Sequence, residues 1–198
     1  IKANLEQNIP VRKMELSEDE LEVIKSFNLI TAKPIIYVAN VSEDDIINGG
    51  NEYYEKVLDY AKGEASEVVL ICAKIESELA ELNDTDKANF LNDLGIPESG
   101  LDQLIKKTYS LLGLATFFTA GSDEVRAWTF KKGMKAPACA GIIHTDFEKG
   151  FIKAEVVSYN DFISSGSWAA AREKGLARLE GKDYIVQDGD IMVFRFNN

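Results

Sequence analysis

Apolar runs of strand length alternate with helix-periodic segments in the first half of the chain. Residues 35–39 and 68–73 are continuous apolar runs, typical of strands that are buried on both faces of a parallel sheet. Between them, after a break at Gly49 and Gly50, residues 52–62 repeat apolar side chains at helical spacing. The order strand, helix, strand predicts two parallel strands joined by a right-handed crossover.

Capping and stop signals predict three more helices in this half. Ser17 and Glu20 stand three residues apart ahead of an apolar-periodic segment, which is the pattern of a capping box. Two further helical patterns, each followed by a glycine, cover residues 85–94 and 101–112. We expect these helices to complete the first structural region.

From Leu114 onward the pattern changes to short strands. Residues 115–119 and 125–130 predict a hairpin, joined by a turn at residues 120–123. The other predicted elements are helices at 137–143 and 169–174 and strands at 151–159, 184–186 and 191–196. A small sheet with a helix across it is an α+β architecture, so the chain is predicted to combine an α/β part with an α+β part.

The net charge of −11 is unevenly distributed. Residues 1–115 carry 11 Lys and Arg against 22 Asp and Glu, whereas residues 116–198 carry 11 of each kind. Binding to nucleic-acid phosphates needs clustered cations, so the neutral second part is a better candidate for it than the acidic first part. The change in charge also predicts a boundary between two regions.

Composition favours a globular cytoplasmic protein. The chain is 45% apolar, which is enough for a packed core, but it has no apolar run of bilayer-spanning length and no signal segment at its start. Cys72 and Cys139 lack CxxC spacing and are expected to be reduced core thiols, which favours the cytosol. Because the chain begins with Ile1 and not with Met, we expect it to be part of a longer protein.

The carboxyl ends of the two predicted parallel strands carry the clearest binding chemistry. Ligands of open parallel sheets bind beyond these ends. The amide of Asn40 can hydrogen-bond a purine ring nitrogen, and the carboxylate of Glu43 is suitably placed for the edge of the base. Ala73 and Lys74 follow the second strand in the equivalent position. Taken alone, the pattern at Asn40 also fits an ordinary strand-to-loop turn.

This layout resembles that of P-loop GTPases of the translation-factor type, which carry N-K-x-D after one strand and S-A-K after the next. Here Val41 stands in place of the Lys, Glu43 in place of the Asp and Cys72 in place of the Ser. Adenine lacks the pair of donors that a rigid Asp recognises in guanine, so these changes favour an adenine-accepting variant. The residues predicted to bind the adenine base of ATP are Asn40, Val41, Glu43, Ala73 and Lys74.

Longer segments are similar to the YchF-type Obg-like ATPases, a family of TRAFAC-class P-loop NTPases. The matching segments are residues 29–34 continuing to 40–43, residues 111–114 continuing to 128–129, and residues 144–151. The resemblance implies a nucleotide-binding domain with a helical coiled-coil insert, followed by a ubiquitin-like β-grasp domain of the TGS type. On this mapping, residues 1–33 end the insert, residues 34–115 are the C-terminal part of the nucleotide-binding domain, and residues 116–198 are the TGS domain.

A phosphate-binding loop of the form G-x-x-x-x-G-K-[ST] is absent from the sequence. We therefore expect this chain to be catalytically inactive alone and to bind ATP weakly, with Mg²⁺ held only in a full-length parent. The resemblance implies that the parent is an ATP-preferring hydrolase that associates with the ribosome.

Cations and one aromatic residue are grouped on the second strand of the predicted hairpin and just after it. They are Arg126, Trp128, Lys131, Lys132 and Lys135. Such a group can stack bases and contact phosphates, so it is the candidate RNA or ribosome contact of the TGS domain. The alternative is a solvated strand face with Trp128 in the core.

His144 is the only histidine, and no Ser or Cys nucleophile is paired with it in the sequence. The resemblance implies that it belongs to a TGS motif, so we expect it to hold a loop or to contribute to a partner surface.

Two further functions stay open on the sequence. The chain can be mainly a TGS-centred module that binds RNA, the ribosome or a protein, with the nucleotide half as scaffold. The acidic first part can also be a protein-interaction surface, although nothing in the sequence selects its partner.

Overall fold

The computed structural model describes residues 1–121 and 124–197, which form two compact units. The first unit is Ile1–Thr108 and the second is Tyr109–Asn198. The sequence analysis placed the start of the second region at residue 116, and the first strand of the second unit begins at Leu114.

The first unit contains seven helices and two strands among its described residues. In chain order they are α1 (Lys2–Glu6), α2 (Glu18–Lys25), β1 (Ile36–Asn40), α3 (Glu43–Ile47), α4 (Glu52–Lys62), β2 (Glu67–Ile71), α5 (Ala73–Ala80), α6 (Asp84–Asp93) and α7 (Gly100–Leu111), whose last residues extend into the second unit. Short 3₁₀ turns lie at Val11–Lys13 and Ile30–Ala32.

The strands β1 and β2 pair in parallel, as predicted from the two apolar runs and the helix between them. Val69, at the centre of β2, is fully buried, whereas Val38, its partner in β1, is 45% exposed. The capping box at Ser17 is also confirmed: its hydroxyl accepts the Glu20 N–H, and the Glu20 carboxylate accepts the Ser17 N–H.

The prediction that residues 68–73 form one strand is wrong at its end. The strand β2 stops at Ile71, and the extended residue Cys72 leads directly into α5. An apolar run cannot by itself show where a buried strand becomes a buried helix. Here Ile75 and Leu79 lie one helical turn apart and are both buried, so the helical period continues the apolar face.

Residues 1–33, predicted as the end of a helical insert, pack within the first unit. Val11 and Ile24 are buried, and the Arg12 guanidinium donates a 3.1 Å hydrogen bond to the Glu64 carboxylate. This segment is therefore held to the unit by an apolar contact and a charged one.

The second unit is built on a five-stranded sheet. Its elements are β3 (Leu114–Ala120), β4 (Val125–Lys131), α8 (Ala136–Ile143), α9 (Thr145–Lys149), β5 (Phe151–Ser158), α10 (Tyr159–Ser165), α11 (Trp168–Glu173), β6 (Arg178–Glu180) and β7 (Asp190–Phe196). The strand order is β4-β3-β7-β5-β6, and the first and last strands, β3 and β7, pair in parallel at the centre. The other pairs are antiparallel.

Helix α8 covers the face of this sheet that forms the core. Phe117, Met192 and Cys139 are fully buried there, and the ring of Phe117 packs against Phe130 with 5.8 Å between centroids. Phe118 is on the opposite face because side chains alternate along a strand, and its ring lies 5.9 Å from that of Tyr159 in α10. Helix α10 thus covers part of this second face.

The predicted hairpin, the helix at 137–143 and the strand at 151–159 are confirmed with ends shifted by one or two residues. Residues 122 and 123 of the predicted turn lie outside the described residues. The predicted strand at 184–186 is wrong: it is reduced to a single bridge between Ile185 and Lys135. Among the described residues, no helix is long and apolar enough to cross a membrane.

Candidate functional site

The carboxyl ends of β1 and β2 lie side by side, as expected from their parallel pairing. Asn40 is opposite Ile71 in the register, and the backbone N–H of Val41 donates to the Ile71 carbonyl at 2.9 Å. One residue further, the backbone N–H of Ala73 donates to Oδ1 of Asn40, also at 2.9 Å. The Asn40 side chain therefore ties the two strand ends together.

This hydrogen bond also explains how α5 begins. The first N–H groups of a helix have no partner within it, and Cys72, at the cap position, supplies no side-chain hydrogen bond. Asn40 provides that partner from the neighbouring strand. Its Nδ2 group has no hydrogen-bond acceptor among the described residues, which leaves a donor at the sheet edge.

An open cavity of about 410 Å³ lies beyond these strand ends. Its lining residues are Asn40, Val41, Ser42, Glu43, Asp44, Cys72, Ala73 and Lys74. The structure therefore brings all five residues predicted for the base site to one cavity. Its volume is within the range of small-molecule sites.

The charged residues of the cavity are Glu43, Asp44 and Lys74, and two of them form an ion pair. The Lys74 ammonium contacts Oε1 of Glu43, and this carboxylate raises the pKa of Lys74 through a hydrogen bond and its charge. Both side chains are partly exposed, so the pair can adjust to a ligand.

The loop after β1 is fixed by contacts that the sequence analysis did not assign. The Ser42 hydroxyl accepts the Asp45 N–H at the start of α3 and donates to the Asp45 carboxylate at 2.8 Å. The amide of Asn51, at the cap of α4, donates to the same carboxylate at 2.9 Å. These two hydrogen bonds lower the pKa of Asp45. Ser42 followed three residues later by Asp45 is the sequence signal that could have revealed the cap.

The middle of β1 is anchored by a buried carboxylate. Glu64, whose side chain is 2% exposed, accepts a hydrogen bond from the Tyr37 hydroxyl at 2.8 Å and contacts Arg12, Lys13 and Tyr60. The hydrogen bonds from Tyr37 and Arg12 are the main reason that the pKa of Glu64 falls to about 2. We call these five side chains the Glu64 cluster.

The predicted cation group on β4 is not one continuous surface. Arg126 and Trp128 share a face of the strand, and the guanidinium lies 4.1 Å from the centroid of the indole. The other side of that indole stacks against Phe117, and its N–H donates to the Thr119 hydroxyl at 3.0 Å. Trp128 is therefore partly in the core, as the alternative interpretation expected.

The lysines of this group differ in their surroundings. Lys135 pairs with Asp183 at 2.7 Å, whereas Lys131 and Lys132 are exposed and have no ion pair with any described residue. Lys131 is on the face of β4 opposite to Trp128, since the two residues are an odd number apart. The structure thus leaves two lysines at the end of β4 available for an anionic partner.

His144 and Cys139 have structural roles in the second unit. Nδ1 of His144 accepts the Asp146 N–H at 3.2 Å and so caps α9, in agreement with the loop-holding role expected for it. Cys139 is fully buried, and burial raises the pKa of its thiol to about 12. A thiol in this environment is a packing group.

The strand-end cavity presents both donors and acceptors at the edge of a parallel sheet. Asn40 and Lys74 offer a neutral and a charged donor, and Glu43 and Asp44 offer carboxylate acceptors. Across residues 1–121 and 124–197, no three His, Cys, Asp or Glu side chains converge as metal ligands do.

Comparison with known proteins identifies similar sequences over the whole chain. A family model described as YchF-GTPase_C, protein of unknown function (DUF933), matches residues 114–197. The chain is 60% identical over its whole length to the ribosome-binding ATPase YchF of Bacillus subtilis, of which it covers 54%. It is 42% identical over 98% of its length to Obg-like ATPase 1 of Rattus norvegicus, of which it covers 49%. The chain therefore spans about half the length of these relatives.

Solved structures of similar fold agree with the sequence matches. The structure of the Schizosaccharomyces pombe YchF GTPase superimposes with a TM-score of 0.82 and 34% identity, covering 98% of this chain and 54% of that one. A GTP-binding protein from Pyrococcus horikoshii OT3 shares the fold, with a TM-score of 0.60 and 21% identity, over 99% of this chain and 55% of that one. The resemblance found in the sequence is supported: along its whole length, the chain is similar to the C-terminal part of proteins named ribosome-binding ATPase YchF and Obg-like ATPase 1.

Proposed function

We propose that the strand-end cavity binds the adenine base of ATP and that the chain is the base-recognition and partner-binding part of a ribosome-associated nucleotide hydrolase. The observation that carries this proposal is the 2.9 Å hydrogen bond from the Ala73 N–H to Asn40. It holds two strand ends in the arrangement that binds a flat ring, and it leaves the Asn40 Nδ2 donor free for a purine ring nitrogen.

Adenine fits this arrangement better than guanine. The Ala73 N–H is already bonded to Asn40, so it is not free to donate to the carbonyl oxygen of guanine. Val41 provides an apolar side chain at the cavity in place of a cation. Both features support a site that accepts adenine.

The same chain should not hydrolyse ATP alone. Its 198 residues contain no phosphate-binding loop, and positioned phosphates and Mg²⁺ supply most of the stabilisation in phosphoryl transfer. We propose that the parent is an ATPase acting in the cytoplasm, in line with the names of relatives called ribosome-binding ATPase YchF.

Calorimetry of the whole chain with ATP and GTP tests the base site. We expect weak binding that favours ATP and that falls about tenfold in Asn40→Ala, because a ring-nitrogen hydrogen bond and the tie between strands are lost. Asn92→Ala, an exposed position on α6, is the matched control and should leave affinity unchanged. Equal affinity for the two nucleotides contradicts the adenine assignment, and ATP turnover by the purified chain contradicts the proposed inactivity.

A second candidate function is carried by the second unit, which we propose to be a ubiquitin-like β-grasp domain of the TGS type that binds the ribosome or RNA. The central parallel pair of first and last strands, flanked by antiparallel strands and crossed by α8, supports the β-grasp assignment. Lys131 and Lys132 are the two cations of the predicted group that no described carboxylate neutralises.

Titration of ribosomal subunits or RNA at several salt concentrations tests this second function. We expect the double variant Lys131→Ala and Lys132→Ala to reduce the salt dependence of binding, because each phosphate contact releases counterions. Lys135→Ala should have a smaller effect, since Lys135 already pairs with Asp183. If neither the double variant nor Lys135→Ala changes the binding, the contact lies elsewhere on the chain.

A further inference from the structure

The Glu43–Lys74 ion pair occupies part of the cavity that we propose to be the base site. Lys74 contacts Oε1 of Glu43, while Oε2 has no hydrogen-bond partner among the described residues. The two residues come from different segments, one after β1 and the other in the first turn of α5. The pair therefore joins the two sides of the cavity at its charged edge.

We propose that Lys74 is a specificity-determining residue that makes this carboxylate select adenine over guanine. By placing its ammonium at one oxygen of Glu43, it disfavours a two-oxygen clamp on guanine and leaves a donor and an acceptor side by side. The inference rests on the proposed function of the cavity as a base site.

Guanine is disfavoured because its recognition edge carries two neighbouring donors, N1–H and the N2 amino group. A free carboxylate accepts both, one on each oxygen. Lys74 occupies one lone pair of Oε1, so a guanine N–H that approaches this oxygen comes next to the ammonium, donor beside donor. The two-oxygen clamp is weakened as long as the ion pair is intact.

Adenine presents a different edge, with the N6 amino group as donor next to the N1 ring nitrogen as acceptor. Oε2 of Glu43 can accept from N6, and the Lys74 ammonium keeps two protons after its contact with Glu43, one of which can be donated to N1. The intact ion pair thus satisfies both groups of adenine. Since Glu43 raises the pKa of Lys74, the ammonium stays charged at neutral pH.

Selective removal of the Lys74 charge tests this inference in the whole 198-residue chain. Amide chemical shifts of Val41 and Ala73 are followed by NMR while adenosine monophosphate or guanosine monophosphate is added, a measurement that resolves weak binding. Lys74→Met keeps most of the side-chain length and frees both oxygens of Glu43. Lys106→Met is the matched control, because Lys106 forms a similarly exposed ion pair with Glu98 outside this cavity.

The expected result is that Lys74→Met lowers the ratio of adenine to guanine nucleotide affinity about tenfold, with tighter guanosine monophosphate binding, while Lys106→Met leaves the ratio unchanged. A wild-type preference for adenosine monophosphate that persists in Lys74→Met overturns the role of Lys74 and leaves the base site standing. Absence of any shift at Val41 and Ala73 with either nucleotide overturns the base site and this inference with it.

Discussion

The two sheets of this chain are stabilised in different ways. The five-stranded sheet of the second unit packs against α8 on one face and against α10 on part of the other, and it buries Phe117, Met192 and Val156 completely. The first unit has only β1 and β2 as a sheet, and Val38 in the middle of β1 is 45% exposed. Two strands alone bury little apolar area.

Polar contacts compensate in the first unit. The Glu64 cluster holds β1 to the segment before it, and Asn40 holds the end of β1 to α5. We therefore expect truncation of buried apolar side chains to reduce stability most in the second unit. Removal of single polar groups should reduce stability most in the first unit. This difference between the units also explains why the cavity that we propose as the base site is at the open edge of the smaller sheet, where strand ends remain accessible.

The largest expected effect is that of Phe117→Ala in the core of the second unit. Removing a fully buried ring should lower the free energy of unfolding by about 3–5 kcal/mol, because lost burial and a residual cavity add. Chemical denaturation, monitored by hydrogen exchange of amides in the second unit, measures this change in the free energy of unfolding. Val125→Ala, at a 74% exposed position of β4, serves as control and should cost less than about 0.5 kcal/mol. Similar losses for the two variants would contradict the description of the core.

A smaller effect is expected for Glu155→Gln, which tests whether polar contacts matter in the second unit too. Glu155 is buried on β5 and receives two hydrogen bonds from Arg172, at 2.5 and 2.8 Å. Loss of its charge should cost about 1–3 kcal/mol in the free energy of unfolding. Glu173→Gln, in the exposed last turn of α11, is the comparison variant. If Glu155→Gln leaves the free energy of unfolding unchanged, polar contacts contribute even less to the stability of the second unit than we propose.

Asn40→Ala should destabilise the first unit by about 1 kcal/mol, the typical value for loss of a helix cap. The reason is that the Ala73 N–H at the start of α5 loses its acceptor. Hydrogen exchange of the amides in α5 measures the local effect. If exchange in α5 is unchanged, Asn40 does not cap that helix, and its role is confined to ligand binding.

The last prediction concerns the titration of Glu64, which changes stability only in acid and not at neutral pH. Its pKa is lowered from about 4.5 to about 2 in the folded chain, so its contribution to stability is fully present above about pH 4.5 and is lost as the pH falls towards 2. Thermal unfolding of the first unit between pH 7 and pH 2.5 should therefore show an acid-dependent loss that Glu64→Gln reduces. Glu52→Gln, at an exposed position of α4, should leave that acid response intact.

The sequence predicted the local elements of the first unit well where a pattern had a single interpretation. The capping box at Ser17, the helix at residues 52–62 and the parallel strands around it are as expected. The start of α5 was missed because the apolar side chains continue without a break past the end of β2, through Cys72 to Ala73. Periodicity shows burial, and it cannot show a change of backbone direction within a buried run.

For the candidate sites, the sequence predicted which residues lie together but not which side chains pair. Asn40, Glu43 and Lys74 were assigned to one site because parallel strands end at one edge, and the structure places them there. The sequence did not reveal that Glu43 and Lys74 pair, or that Trp128 is stacked between Arg126 and Phe117. Side-chain partners depend on which surfaces meet after folding.

What the sequence determined by itself is thus the likeness to the YchF-type ATPases, the two-part organisation and the edge of the sheet at which Asn40 and Glu43 lie, since motif spacing and strand order are properties of the chain. Only the tertiary structure decided how the groups at that edge are used. It placed the Asn40 amide on the Ala73 N–H and the Lys74 ammonium on Glu43, because hydrogen bonds between residues distant in sequence form only when packing brings their atoms within about 3 Å.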